Sequence, residues 1–193
     1  MNFKIINKNT PFKRFFQIDV YQLQYEHFSG GWSEVVTREI FERGHAVAVL
    51  LHDPQADQLL LIEQFRPGAI HDPDGPWMLE IVAGMVEEGE SNEDVARREV
   101  MEEAGCTVDN LEFIMDYYPS AGGSTERVSL YYGTVNLSTV QTGVHGLGDE
   151  HEDIRTLIVP TDTVIQWLKQ GKIKASLAII AIQWLAMRRL KNH

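Results

Sequence analysis

The chain of 193 residues has a single cysteine, Cys106, so no disulfide can form within it. Basic residues are scarce: 17 Lys and Arg stand against 28 Asp and Glu, for a formal charge of −11. A phosphate backbone is held by clustered Lys and Arg, and their absence excludes nucleic acid as a partner. By the same argument, an anionic small molecule would need metal ions to screen it. Long hydrophobic runs are missing too. The most apolar stretch, 177–187, contains Gln183, ends in Arg188-Arg189-Leu190-Lys191, and falls short of the roughly 20 residues that span a bilayer. It reads instead as a buried C-terminal helix capped by Ser176, with its basic tail at the end of the helix dipole that favours cations. The opening residues Met1-Asn-Phe-Lys-Ile-Ile6 lack the apolar core of a secretory signal, so a cytoplasmic location is expected and no membrane partner. There is no internal repeat, low-complexity tract or long linker. What is present is 44% hydrophobic residues, enough for one full core and a small appendage.

Two segments follow from the punctuation. In residues 1–43, Phe15–Tyr25 alternates in part, Ser29-Gly30-Gly31 signals a turn, and Trp32–Phe41 follows, a pattern that predicts a hairpin. Two strands alone are marginally stable, so this β segment has to pack on its own core or on a second subunit. Residues 44–193 form the main domain. Apolar strands over 45–52 and 58–66 flank the turn Asp53-Pro-Gln-Ala-Asp57, and Asp72-Pro-Asp-Gly-Pro76 leads into a strand over 77–83. After a helix come strands near 111–118 and 127–135, a loop over 137–153, a strand over 154–159, a helix from Thr161 to Gly171, and the last helix. Strands interspersed with helices predict an α/β (α+β) fold, an α/β/α sandwich with a mixed sheet and a small N-terminal antiparallel segment.

The most informative stretch runs from Gly84 to Cys106. Gly84, Glu90, Arg98, Glu99, Glu102, Glu103 and Gly105 stand at fixed spacings, a coincidence expected about once in a million chains of this length. Ser91 or Asn92 can cap a helix here, Asp94 completes a capping-box pattern with Ser91, and Gly105 is suited to end it in the left-handed conformation. At about 100° per residue, Glu99, Glu102 and Glu103 share one side while Ala96, Val100 and Ala104 share the neighbouring apolar stripe. Carboxylates three and four residues apart repel by a few tenths of a kcal/mol, so something cationic has to offset them. The pairs Glu93–Arg97, Asp94–Arg98 and Arg98–Glu102 are what any solvated helix would show. The strand and glycine loop upstream, with Glu90 at the helix entrance, point past that to a site. Hard divalent ions take oxygen ligands and keep positions free for phosphates, so the residues read as a Mg²⁺ site for phosphate chemistry.

Gly84-x5-Glu90-x7-Arg98-Glu99-Val100-x-Glu102-Glu103-x-Gly105-Cys106 resembles the Nudix box. Its last position is usually a bulky aliphatic, and a buried free cysteine serves as a small hydrophobe in that place. The segments 38–44 (REIFERG), 61–66 (LIEQFR), 80–84 (EIVAG) and 146–153 (GLGDEHED) extend the likeness to bacterial ADP-ribose pyrophosphatases over nearly the whole chain.

The resemblance implies roles residue by residue. Glu99 and Glu103 would be the central metal ligands, Glu102 a further one, and the backbone carbonyl of Ala83 would complete the set, for two or more ions of Mg²⁺, Mn²⁺ or another divalent cation. Glu90 would orient the box and Arg98 pair with one of its carboxylates. Alone, the acidic run 149–153 reads as a solvated loop. By resemblance it closes over the substrate and supplies a glutamate base and another ligand, assigned here to Glu150 and Glu152, with His151 a loop residue. Arg66 would clamp the diphosphate, Phe15 and Arg38 stack on adenine, Glu126 meet ribose hydroxyls, and Met85 belong to the same substrate-binding set. The implied activity is Mg²⁺-dependent hydrolysis of ADP-ribose to AMP and ribose 5-phosphate by a homodimer that exchanges its N-terminal sheets. The subfamily usually has proline where Ala121 falls, which keeps GDP-mannose and ADP-glucose as alternative substrates. A non-catalytic nucleotide-binding module is a further alternative, although such modules tend to lose box carboxylates and here all are present.

Overall fold

The computed structural model describes residues 1–148 and 151–191. The chain divides into two compact units, Met1–His45 with Tyr118–Arg127, and the rest.

The first unit carries three antiparallel strands in the order β1-β2-β3: β1 (Phe3–Lys13), β2 (Gln17–Tyr25) and β3 (Val36–Glu42). The hairpin expected between Phe15 and Phe41 therefore belongs to a three-stranded sheet, with β2 at its centre and β3 at one edge. Gly30 and Gly31 turn the chain with φ of 88° and 81°, which only glycine adopts without strain. Residues 32–35 are not strand, and β1 had no sequence signal because every one of its residues is exposed. Alternation is legible only where one face is buried.

The second unit is built on an eight-stranded sheet. In chain order its elements are β4 (His45–Asp53), β5 (Gln58–Phe65), β6 (Trp77–Glu80), β7 (Val82–Met85), α1 (Asn92–Ala104), β8 (Asn110–Tyr117), β9 (Arg127–Thr134), β10 (Val144–His145), β11 (Ile154–Pro160), α2 (Thr161–Lys169) and α3 (Ser176–Lys191). The strand order is β10-β11-β5-β4-β9-β8, with β6 also on β5 and β7 also on β4. The run 77–83 predicted as one strand is thus two. It changes partner at the fully buried Ile81, with Glu80 opposite Ile62 on β5 and Val82 opposite Val49 on β4.

Both faces of this sheet are covered, which is why β4 and β5 read as nearly continuous apolar runs. Val47, Val49, Leu51, Leu60 and Ile62 pack on one side with Val95, Ala96, Val100 and Ala104 of α1. Ala48, Leu50, Leu59 and Leu61 pack on the other with Val164 of α2 and Ala178, Ala181, Ile182 and Leu185 of α3. The result is the predicted mixed α/β sandwich with a small antiparallel sheet. Each fully buried Leu, Ile or Val contributes about 1.5–3 kcal/mol relative to exposure. Cys106 is free, buried in the α1-side core, and burial pushes its thiol up to about 11, so it serves as a core residue.

The C-terminal helix is half-buried to buried along its inner face, and it begins at Ser176 rather than after it. The carbonyl of Ala175 receives the Ile179 amide, so Ala175 holds the cap position. Two residues of its basic tail form ion pairs: Arg188 with Glu112 at 2.6 Å, and Arg189 with Asp57 at 3.0 Å. Among the described residues no helix is long and apolar enough to cross a membrane.

Candidate active site

The site is assembled by α1 and what surrounds its two ends. Ser91 caps the helix, its Oγ accepting the Asp94 amide at 3.2 Å, and Gly105 ends it at φ 62° with its amide on Met101 O. Between these caps the buried face comprises Val95, Ala96, Val100, Ala104 and one charged residue, Glu103, at 3% exposure. The apolar stripe and the acidic side predicted from spacing therefore overlap at Glu103.

Arg98 supplies the cation that the acidic side requires. Its Nη1 donates to Glu99 at 2.8 Å and to Glu102 at 2.9 Å, and its Nε lies 3.5 Å from Glu90. Glu90 in turn accepts the Glu87 amide at 3.0 Å, which ties the glycine-containing loop to the helix. Of the three solvated-helix pairs, only Arg98–Glu102 forms among the described residues. Arg97 donates to the Val108 carbonyl instead, and Asp94 accepts the Ser91 hydroxyl.

Glu103 is held differently. Its Oε2 accepts the Ala83 amide at 2.9 Å, joining β7 to the helix. Burial, with the nearby carboxylates of Glu99 and Glu152, pushes it up to about 8 against the opposing pull of the Ala83 amide and Arg66. Glu99 is raised for the same reasons, burial foremost, then Glu102 and Glu152, with Arg98 opposing. Glu99 also explains Gly84. A Cβ on residue 84 would sit 1.8 Å from Glu99 Oε1, so the carboxylate occupies space that only glycine leaves open.

The acidic loop reaches the same helix. The Gly146 amide donates to the Glu102 carbonyl at 3.2 Å, and β10 pairs with β11, so the stretch expected to be all loop contains a short strand that docks it. Glu152 is partly buried and accepts the Leu147 amide at 3.1 Å. His151 is exposed at φ 57° in the turn before it. Glu150 and Asp149 lie outside the described residues.

Arg66 follows β5 and grips Glu80: Nε lies 3.1 Å from both carboxylate oxygens and Nη2 2.7 Å from Oε2. The pair lines an open cleft of about 450 Å³ with Gly68, Ala69, Met78 and Lys174. Met85, at the end of β7, is 45% exposed. Glu80 had not been singled out from the sequence. The available signal was a carboxylate set between Leu79 and Ile81 in a strand whose neighbours are core residues.

The remaining predicted residues belong to the first unit. Phe15 is 86% exposed and meets Phe16 edge-on with centroids 4.8 Å apart. Arg38 is exposed and donates to the Thr37 carbonyl, while Glu126 pairs with Arg43 at 2.9 Å.

Among the described residues no three His, Cys, Asp or Glu side chains converge closely enough to hold an ion, since Arg98 engages Glu99 and Glu102 while the Ala83 amide engages Glu103. The donor set nonetheless suits a hard divalent cation. It is all oxygen, and the neighbouring carboxylate of Glu152 helps to raise the proton affinity of both Glu99 and Glu103, as happens where carboxylates share a site.

The chain resembles known proteins over most of its length. The NUDIX domain matches residues 42–178. The ADP-ribose pyrophosphatase of Escherichia coli (strain K12) is 46% identical over 192 residues, covering 98% of this chain and 91% of that protein. That of Haemophilus influenzae is 42% identical over 187 residues, covering 95% and 86%. The GDP-mannose pyrophosphatase of Pectobacterium atrosepticum is 30% identical over 185 residues, covering 95% and 94%. A crystal structure of an ADP compounds hydrolase, 21% identical, shares the fold with a TM-score of 0.73 over 100% of this chain and 96% of that one. With its box carboxylates gathered along α1, and with this match across most of its length, the chain belongs to the Nudix family.

Proposed function

We propose that this chain is an ADP-ribose pyrophosphatase that hydrolyses the diphosphate bond of ADP-ribose to AMP and ribose 5-phosphate with the help of Mg²⁺ or another divalent cation. The observation that carries the chemistry is the carboxylate set of α1, with Glu103 buried on the Ala83 amide and Glu99 seated over Gly84. The substrate follows from the similarity to the ADP-ribose pyrophosphatases named above.

Glu99, Glu102, Glu103 and Glu152, with the Ala83 carbonyl, would hold two or more cations. Such ions neutralise charge that develops on phosphate oxygens and lower the pKa of a bound water. The protein's own part is to position and screen. Arg98 keeps Glu90, Glu99 and Glu102 in register. Arg66 presents a guanidinium to the diphosphate, and Glu150 takes the proton of the attacking water. Phe15 and Arg38 offer stacking surfaces for adenine, Glu126 a carboxylate for ribose hydroxyls, and Met85 an apolar contact. We further propose a cytoplasmic homodimer with no nucleic-acid or membrane partner. Supporting the dimer is β1, exposed along its whole length in a sheet of three strands. The segment 1–43 would be its docking element and the remainder the hydrolase domain.

A second substrate reading has its own support in the GDP-mannose pyrophosphatase relative and in Ala121. Chromatographic product analysis decides between them, using ADP-ribose, ADP-glucose, GDP-mannose and NADH, each with and without Mg²⁺. AMP and ribose 5-phosphate released from ADP-ribose in preference, and only with metal, is the expected result. Preferential cleavage of another compound moves the substrate, and no cleavage of any overturns the enzyme reading.

A further inference from the structure

We propose that Glu80 is a positioning residue that presents Arg66 to the substrate diphosphate. The proposal rests on the role given to Arg66 above and extends it to a residue with no role in the Nudix box. Glu80 lies on β6 opposite Ile62, 6% exposed, between the buried core residues Leu79 and Ile81. A leucine or valine would serve that position better, because a carboxylate withdrawn from water has to be paired to be tolerated. Its only ion-pair partner among the described residues is Arg66.

The geometry of the pair divides the guanidinium into a held edge and a presented one. Nε and Nη2 face Glu80 at 3.1 and 2.7 Å, while Nη1 has no partner among the described residues. The carboxylate side chain is 8% exposed and the arginine side chain 41%, so the fork is anchored from inside and its outer edge opens to the cleft. The backbone is fixed as well. The Arg66 amide donates to the Pro76 carbonyl at 2.8 Å, and Pro67 confines residue 66 to the extended conformation that it adopts, φ −118° and ψ 107°. An arginine held at both ends loses little rotamer freedom on meeting an anion and keeps the planar orientation that bidentate recognition needs.

The alternative is that Glu80 competes with the diphosphate for Arg66, and the two ideas predict effects of opposite sign. Steady-state kinetics on ADP-ribose at saturating Mg²⁺ would compare the full-length wild type with Arg66→Ala, Glu80→Gln, Glu80→Asp and the double variant Arg66→Ala/Glu80→Gln. Melting curves would verify that each is folded. If Glu80 positions Arg66, Glu80→Gln raises KM and lowers kcat/KM by about tenfold. Glu80→Asp, which keeps the charge, recovers part of that loss. The double variant is no worse than Arg66→Ala, because Glu80 has nothing left to position. A lower KM in Glu80→Gln, an unchanged kcat/KM, or losses that multiply in the double variant would overturn the proposal while leaving Arg66 in its role. An Arg66→Ala enzyme with wild-type KM and kcat would remove that role, and the Glu80 proposal with it. Glu80→Gln is isosteric, and should it still fail to fold, the Glu80→Asp comparison carries the same test.

Discussion

Asp19 in the N-terminal sheet and Glu103 on α1 are both shielded from water, at 0% and 3% exposure, and yet they stand on opposite sides of the ordinary carboxylate range. Asp19 is surrounded by donors: Lys8 at 2.7 Å, Thr10 at 2.6 Å and Gln17 at 2.9 Å, and these, Lys8 foremost, hold it down at about 2. Glu103 has the Ala83 amide as its donor and faces other carboxylates, so burial pushes it up to about 8. Its charge is matched by no cationic side chain at hydrogen-bond distance among the described residues. A carboxylate whose partners are built in stabilises structure. One that is buried, short of donors and beside its own kind keeps its proton to a higher pH, which accords with the cation site proposed above for Glu103.

The sharpest way to break this contrast is to neutralise each group in turn. Glu103→Gln should lower kcat by about a thousandfold at saturating Mg²⁺ in the ADP-ribose assay, whereas Asp19→Asn should leave kcat within about twofold. Wild-type turnover in Glu103→Gln would show that Glu103 holds no catalytic ion. Next in size is Gly84→Ala, whose methyl would displace the Glu99 carboxylate. We expect kcat/KM to fall about a hundredfold while the melting temperature moves little, and an unchanged kcat/KM would mean that Glu99 need not occupy its place over Gly84.

The two groups also dictate opposite pH dependences. Glu103 binds its proton more tightly folded than unfolded, so its contribution to stability is complete below about 4.5 and is lost as pH rises towards about 8. Denaturant melts of the metal-free protein should therefore lose on the order of 4 kcal/mol across that window, with the loss absent in Glu103→Gln and partly reversed by Mg²⁺. A flat profile in the wild type would contradict the buried, unmatched charge. For Asp19 the sign reverses. Its contribution is present above about 3.8 and lost as pH falls through about 2. The smallest effect follows from this: Asp19→Asn should lower the melting temperature by a few degrees at pH 7, a difference that shrinks as the wild type is titrated below pH 3.

Much of the active helix was legible in one dimension. Ser91 and Gly105 cap it as their types require, and the spacing of Glu99, Glu102 and Glu103 follows from 3.6 residues per turn. The two-faced core was legible as well, because β4 and β5 carry unbroken apolar runs at 46–51 and 59–62. Other features had no such signal. Strand β1 has no buried side, hence no alternation to read. The break at Ile81 depends on which neighbour each half of the run pairs with, and pairing is a long-range event. The local charge pattern suggested Glu93–Arg97 and Asp94–Arg98 equally with Arg98–Glu102. The Val108 carbonyl took Arg97, and Ser91 took Asp94.

What the sequence determined by itself was the set of chemical groups and their order on one helix, since periodicity and capping act over a few residues. Only the tertiary structure decided what each carboxylate became: Glu102 paired with Arg98, Glu103 buried on the Ala83 amide, Glu80 closed on Arg66, and Asp19 wrapped in donors. The charge state of a buried group is set by partners that arrive from distant parts of the chain, and sequence distance carries no record of them.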